Sequence, residues 1–246
     1  AGVYQGSYLM AHDIQTMLGY HGQEIRFYDE LLGGKGQWKY AGNPNLHDLT
    51  NVRFILLREP QPVPGFHQVL GPVTTTPGAP AFLLESDSAP AYVRVVSGAA
   101  KLPEDQVPPT VIDPRFPVNA VALYTDTATV APAPIQAGRM PGPSAVRASL
   151  HDWAPGAMRV TLTGTSDSTA YLLVSENWYP DWHAEVDGKP APLLRGDHTF
   201  LSVALPPGAR EVTLRFSSAT YARGKALTLL ALLAAVLLST APFWQG

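Results

Sequence analysis

The chain has 246 residues, a formal net charge of −3 and only 15% charged residues, which is length enough for one large or two small domains, each with a core. So low and slightly acidic a charge leaves no basic face for a phosphate backbone, which argues against nucleic acid as a partner. The absence of cysteine excludes disulfide frameworks, thiolate metal sites and cysteine nucleophiles, and leaves the compartment open.

The chain begins at Ala1 rather than Met, as expected of a processed or partial product of a longer precursor. Its 24 prolines and 21 glycines are spread along the sequence, a distribution that suits short strands and turns better than long helices.

Residues 11 to 34 read as helical. "EIRFYDELLGG" places Ile25, Tyr28, Leu31 and Leu32 on one face, and Gly33 and Gly34 supply the stop. "NPNLHDLTN" offers Asn45 as the N-cap of a short helical turn, and "VRFILL", Val52 to Leu57, reads as a buried strand. From Glu59 to Pro80 the proline density predicts an irregular extended connection, after which "APAFLLES" and "AYVRVVS" read as strands. A second proline-broken excursion ends in a strand at Ala120 to Tyr124.

Residues 128 to 144, "ATVAPAPIQAGRMPGPS", contain almost no large apolar side chain and read as a linker. Beyond it the hydrophobic period becomes two: Val160 and Leu162; Ala184 and Val186; Leu201, Val203 and Leu205; Val212, Leu214 and Phe216. Asp187-Gly188 is a type I′ hairpin signal, and "LPPGAR" marks a further turn. About six short strands at this spacing predict an antiparallel β-sandwich. The expected fold is a mixed α/β region (1–127), a linker (128–144), a β-sandwich (145–220) and a transmembrane helix (225–244).

That helix rests on "ALTLLALLAAVLLSTAPFW", residues 226 to 244, which carry no charge and reach about 28 Å at roughly 1.5 Å per residue. Leu227, Leu230, Leu233, Val236 and Leu237 are the expected anchor residues, with Phe243 and Trp244 at an interface-like position. Arg223 and Lys225 lie on the domain side of the span, which taken literally puts the domain in the cytoplasm, although large domains cross largely regardless of such flanks.

His12, Asp13 and His21 lack metal-site spacing, and the side chains of the adjacent pairs His47-Asp48 and His151-Asp152 diverge on regular structure. No G-x-S-x-G elbow, P-loop or G-x-G-x-x-G fingerprint occurs. No catalytic residue, metal or cofactor is therefore expected. The remaining candidate is "ENWYPDWH". Aromatic faces beside a carboxylate suit a sugar groove or a partner contact, so Trp178, Tyr179 and Asp181 are its candidate contact residues. Tyr179-Pro180 also reads as a turn, and Trp182 shares the inward face of Ala184 and Val186, so a sandwich corner is the competing reading.

The stretch holding Tyr179, Pro180, Trp182, Asp187, Gly188, Lys189, Arg195, Phe200, Pro206 and Gly208 resembles the C-terminal extracytoplasmic domain of the YfhO-like family. These are bacterial membrane proteins of many spans, related to lipid-linked-sugar glycosyltransferases of the GT-C type. Resemblance continues upstream in Gly19, Tyr20, His21 and Tyr28, and in Asn45, Leu46, Asp48, Leu49, Asn51 and Val52. Asp181 departs from the family's usual Gly, and the many-span portion that would hold a GT-C active site does not lie in these 246 residues.

The resemblance implies a fold and the extracytoplasmic face of a bacterial inner membrane, not glycosyl transfer. The expected function is a non-catalytic, membrane-anchored accessory subunit whose partners are membrane lipid and the protein subunits of a larger complex. A photosynthetic reaction-centre light-harvesting assembly is one host by analogy. The alternative is a carbohydrate-handling module, or a fragment of a lipid-linked-sugar glycosyltransferase.

Overall fold

A computed structural model describes residues 8–18, 25–75, 78–88, 90–130 and 141–240. It is a mixed α/β chain, mostly antiparallel β, that ends in one apolar helix. The N-terminal part holds a 3-10 turn (Tyr8–His12), helix α1 (Arg26–Leu32) and helix α2 (Pro44–Leu49). Three strands follow, β1 (Phe54–Leu57), β2 (Phe66–Thr74) and β3 (Pro80–Ser86), forming a sheet of order β1-β3-β2. Next come β4 (Val93–Val96), β5 (Gly98–Leu102), a 3-10 turn (Glu104–Gln106), α3 (Val107–Val111) and β6 (Val121–Thr125), with β5 and β6 paired in parallel.

Two sheets make the sandwich. One has five strands, which in chain order are β7 (Arg147–Ala154), β8 (Ala157–Thr163), β10 (Trp182–Val186), β11 (Lys189–Ala191) and β14 (Glu211–Phe216). The other consists of β9 (Ala170–Asn177), β12 (Leu193–Gly196), β13 (Phe200–Leu205) and β4, in the order β12-β13-β9-β4. Because β4 pairs with β9 from Val93↔Val174 to Val96↔Tyr171, the sandwich takes one strand from residues that precede the expected linker. Residues 131–140 of that linker lie outside the described residues.

Hydrophobic patterning explains which sheet lies where. In β8 and β10 burial alternates strictly, as in a sheet with one wet face. "AYLLV" in β9 and "FLSV" in β13 are buried at every position, as in strands covered on both faces. The inner face of the four-stranded sheet packs against the five-stranded sheet through Leu172, Val174, Leu201 and Val203 with Val160, Trp182, Val212 and Leu214. On its outer face, Tyr171, Leu173 and Leu194 meet Val96, Ala122 and Tyr124, and Phe200 joins Leu31, Leu46, Leu49, Val107 and Leu123. The four-stranded sheet is therefore the middle layer, and the helices cover it.

Several local expectations change. Asn43, not Asn45, caps α2: its side chain accepts the Leu46 N–H at 3.2 Å, with Pro44 in the first turn. Asn45 is buried instead, and its Nδ2 donates to the carbonyls of Val111, Asp113 and Phe116 at 2.9, 2.7 and 3.2 Å. The expected irregular stretch from 59 to 80 contains the nine-residue β2, which tolerates Pro72 because the register with β3 shifts between Leu70 and Val73. Strand β1 starts at Phe54 and buries only Leu57, since it is an edge strand paired with β3 alone.

Within the expected helix 11–34, α1 spans Arg26–Leu32 and residues 19–24 lie outside the described residues. It ends as read: Gly33 has φ +92°, and a Cβ there would fall 2.7 Å from the Lys39 Cβ. Eight strands, rather than about six, follow residue 145. The Asp187-Gly188 turn has φ of 49° and 74°, the paired left-handed geometry of a type I′ hairpin.

Helix α4 (Ala219–Thr240) follows β14 after two residues. Its stretch from Ala219 to Ser239 is apolar enough and, at 21 residues, long enough to cross a membrane, and none of it is buried against the rest of the chain. Leu227, Leu230, Leu233, Val236 and Leu237 are all exposed on it, as anchor residues require. Phe243 and Trp244 lie outside the described residues.

Candidate functional site

The aromatic corner divides in two. Trp178 directly follows β9, packs half-buried against the sandwich core, and donates its backbone N–H to Thr199 O at 2.6 Å. Trp182 is buried in the same core as its strand phase predicts, with its ring edge-on to Phe216 at 5.6 Å. Tyr179 turns outward, 50% exposed, with its ring 6.1 Å from that of Phe216. Asp181 is partly exposed, and its backbone carbonyl accepts the Ser217 N–H at 2.8 Å. The corner thus brings Tyr179 and Asp181 to the point where the chain leaves β14 for α4, while Trp178 rests half-buried against the core.

A second constellation escaped the sequence reading. The turn between β12 and β13, Asp197-His198-Thr199, is buried. Asp197 and His198 both adopt positive φ, 45° and 75°, a backbone that Asp and His tolerate better than most residues. Asp197 exchanges backbone and side-chain hydrogen bonds with Leu123 of β6: its N–H donates to Leu123 O, and its Oδ1 accepts the Leu123 N–H, each at 2.8 Å. Its Oδ2 accepts from Arg94 Nη2 of β4 at 3.0 Å, in an ion pair whose side chains are 0% and 9% exposed.

His198 faces the helical layer. Its Nε2 lies 2.9 Å from Glu30 Oε2 of α1, its Nδ1 lies 3.7 Å from Glu104 Oε1, and the Phe27 ring meets it edge-on. Arg195 of β12 closes the cluster. Nη1 donates to His198 O, Nη2 donates to both Glu104 oxygens at 2.8 and 2.7 Å, and the guanidinium lies 3.9 Å over the Phe27 ring. Thr199 Oγ1 donates to Asn177 Oδ1 at 2.9 Å. This one turn therefore joins the middle sheet to α1, to the 104–106 turn and to β6, and ties β4 to β12 and β13 within the sheet.

Burial governs the electrostatics. Desolvation pushes the Asp197 carboxyl above its ordinary value and the Arg94 guanidinium below its own, against their mutual attraction. Desolvation likewise lowers His198, with the Glu30 hydrogen bond opposing and the Arg195 charge assisting. At Glu30 desolvation acts upward, but the hydrogen bonds from Arg26 and His198 prevail and hold the carboxyl below its usual range. The cluster's acids and bases are thus each other's partners.

The other histidines stay dispersed. His47 is buried with its Nε2 2.8 Å from Ala41 O, while Asp48 accepts from Asn119 Nδ2 at 3.1 Å. Asp152 lies 3.6 Å from Arg159 in a solvent-exposed pair. His21 lies outside the described residues. Among the described residues no group of three or more His, Asp or Glu is placed to hold a metal ion.

No protein-family model and no curated protein matches the chain. Among solved structures it is similar to the arabinofuranosyltransferase AftD from mycobacteria, in two classes of the R1389S mutant, at 29% and 28% identity over 37% of this chain, each with a TM-score of 0.31. A further AftD structure matches 64% of the chain at 19% identity, again with a TM-score of 0.31. In every case the match spans 8% of the AftD chain.

Proposed function

We propose that the chain is a non-catalytic, membrane-tethered extracytoplasmic module of a larger membrane assembly related to the lipid-linked-sugar glycosyltransferases. The observation that carries this reading is how the titratable groups are used. His198 pairs with Glu30 and Arg195 with Glu104 across the boundary between the sandwich and its helical layer, Arg94 pairs with Asp197 within the middle sheet, and the sandwich leads into an apolar helix long enough to cross a membrane. Acids and bases that hold layers together in this way serve cohesion, and leave the exposed surface and the helix as the means of association.

The motifs that resemble the YfhO-like family are spent in the same manner. Asp187-Gly188 forms the β10–β11 hairpin, Arg195 and Phe200 knit the middle sheet to the helices, and Trp182 fills the core. They support a shared architecture more than a shared chemistry. Neither the fold nor the similarities point to a photosynthetic host.

Purifying the native protein that contains this chain from membranes in mild detergent tests the reading. The expected particle is larger than the 26.4 kDa of these residues, either through co-purifying subunits or through further membrane spans in the same polypeptide. A free monomer of that mass with no partner would overturn it.

A further inference from the structure

The sandwich has three exposed large apolar side chains among its described residues: Trp153 at 46%, Tyr179 at 50% and Phe216 at 42%. All three lie at one end. Phe216 is the last residue of β14 and pairs with Trp182, the first of β10. Gly156, in the turn that follows Trp153, accepts the Phe216 N–H at 2.8 Å, and the Tyr179 ring lies against that of Phe216. The opposite end, with the Asp187-Gly188 hairpin and the Pro206–Gly208 turn, exposes no large apolar side chain among the described residues. Single exposed apolar residues are ordinary on protein surfaces, whereas their confinement to one end marks an interaction surface.

The occupant follows from where that end sits. Helix α4 begins three residues after Phe216, and Tyr221 in its first turn is 72% exposed. Arg215, Arg223 and Lys225 flank the same junction. The Trp and Tyr rings, each apolar with one polar edge, beside the wholly apolar Phe216 and mixed with long cationic side chains, match the boundary between headgroups and acyl chains of a bilayer.

We propose that this end of the sandwich is a membrane-seating surface. Trp153, Tyr179, Phe216 and Tyr221 enter the headgroup region of the leaflet from which α4 descends, and hold the domain end-on against lipid rather than on a free stalk. The seat goes beyond the assembly reading and rests on α4 crossing the bilayer.

The chain has no cysteine, so single-cysteine variants report depth cleanly. Ala154→Cys and Ser217→Cys at the aromatic end, Lys189→Cys at the opposite end and Leu233→Cys in α4 would each carry a nitroxide, in the full chain reconstituted into phosphatidylcholine vesicles containing phosphatidylglycerol. Accessibility to oxygen and to a water-soluble nickel chelate then ranks the four positions. The expected result is a deep label at Leu233, and several-fold lower chelate accessibility at Ala154 and Ser217 than at Lys189. Replacing Trp153 and Tyr179 by Ser should return the Ala154 label to the accessibility of Lys189. Labels at Ala154 and Ser217 as chelate-accessible as Lys189, with Leu233 deep, would overturn the seat alone. A chelate-accessible Leu233 would overturn the span, and the seat with it. The unsubstituted aromatic end carries the comparison even where the double replacement unfolds.

Discussion

Asp197 Oδ2 lies 3.0 Å from Arg94 Nη2 in a pair almost withdrawn from water, and Asp197 at the same time bonds both backbone groups of Leu123. Removing one partner leaves the other charge buried and uncompensated, which costs about 3–5 kcal/mol in such settings. Arg94→Leu should therefore lower the denaturation midpoint of the full chain in detergent by that order of free energy. The double variant Arg94→Leu/Asp197→Asn should recover part of the loss, because Asn keeps an acceptor for Leu123 and tolerates positive φ. Additive losses in the double variant would show that the pair is not coupled.

His198 gives the chain an acid sensitivity whose sign follows from its surroundings. It faces Glu30 on α1, Glu104 in the 3-10 turn and Arg195 on β12, and burial holds it below its ordinary value of 6.5. As pH falls below about 6.5 the unfolded chain takes up the proton first, so stability drops from there toward the depressed folded value and then levels off. The lowered Glu30 acts in the same direction below about 4.5. Asp197, raised by burial, acts in the opposite direction above about 3.8 and is common to both chains compared. His198→Asn, which suits φ +75°, should flatten the fall in melting temperature between pH 7 and 5 relative to the unmodified chain. Parallel curves would count against the assignment.

The five-stranded sheet was legible because one wet face writes a period of two into β8, β10 and β14. β13 carries the same alternation at Leu201, Val203 and Leu205, which marks only one of its two buried faces, and β9 escaped the sequence reading; the burial of both strands on both faces, seen in the structure, says which sheet is central. The Asp197 cluster was not legible, because its bonds join residues 91, 103 and 168 positions apart, and spacing along one segment carries no trace of them. One signal was present: a polar Gly-Asp-His-Thr turn between strands covered on both faces must itself be buried and must find partners. Strand β2 was hidden by prolines that act as breakers in a sequence window but here fall before the strand or at a register shift.

Asn43 and Asn45, two residues apart, should fail differently when truncated. Asn43→Ala removes a helix cap and the bond from Asn43 Nδ2 to Ile112 O, a loss of about 1–2 kcal/mol. Asn45→Ala strips a donor shared by three carbonyls of the 111–116 segment and should cost about 2–3 kcal/mol, since buried acceptors are left unpaired. Asn45→Asp, which turns a donor into an acceptor facing those carbonyls, should be worse than Ala. Thermal unfolding of the three variants in one detergent ranks them, and an Asn43→Ala loss exceeding that of Asn45→Ala would reverse the roles drawn from the structure.

Trp178 and Tyr179 are adjacent, yet only the first is structural. Trp178 rests on the sandwich core and its backbone braces the Thr199 turn, so Trp178→Ala should cost about 2–3 kcal/mol, below the range for a fully buried Trp because one side of the ring remains wet. Tyr179 is half exposed and contacts Phe216 at the edge of the fold, so Tyr179→Ala should change stability by less than about 1 kcal/mol. The two variants, compared by chemical denaturation and by the chelate accessibility of a label at Ala154→Cys in vesicles, should then separate: the first shifts the unfolding midpoint, and the second shifts only how the domain meets lipid. A Trp178→Ala protein with an unchanged midpoint would move that ring from the core to the surface as a contact residue, and the corner would return to being a binding site.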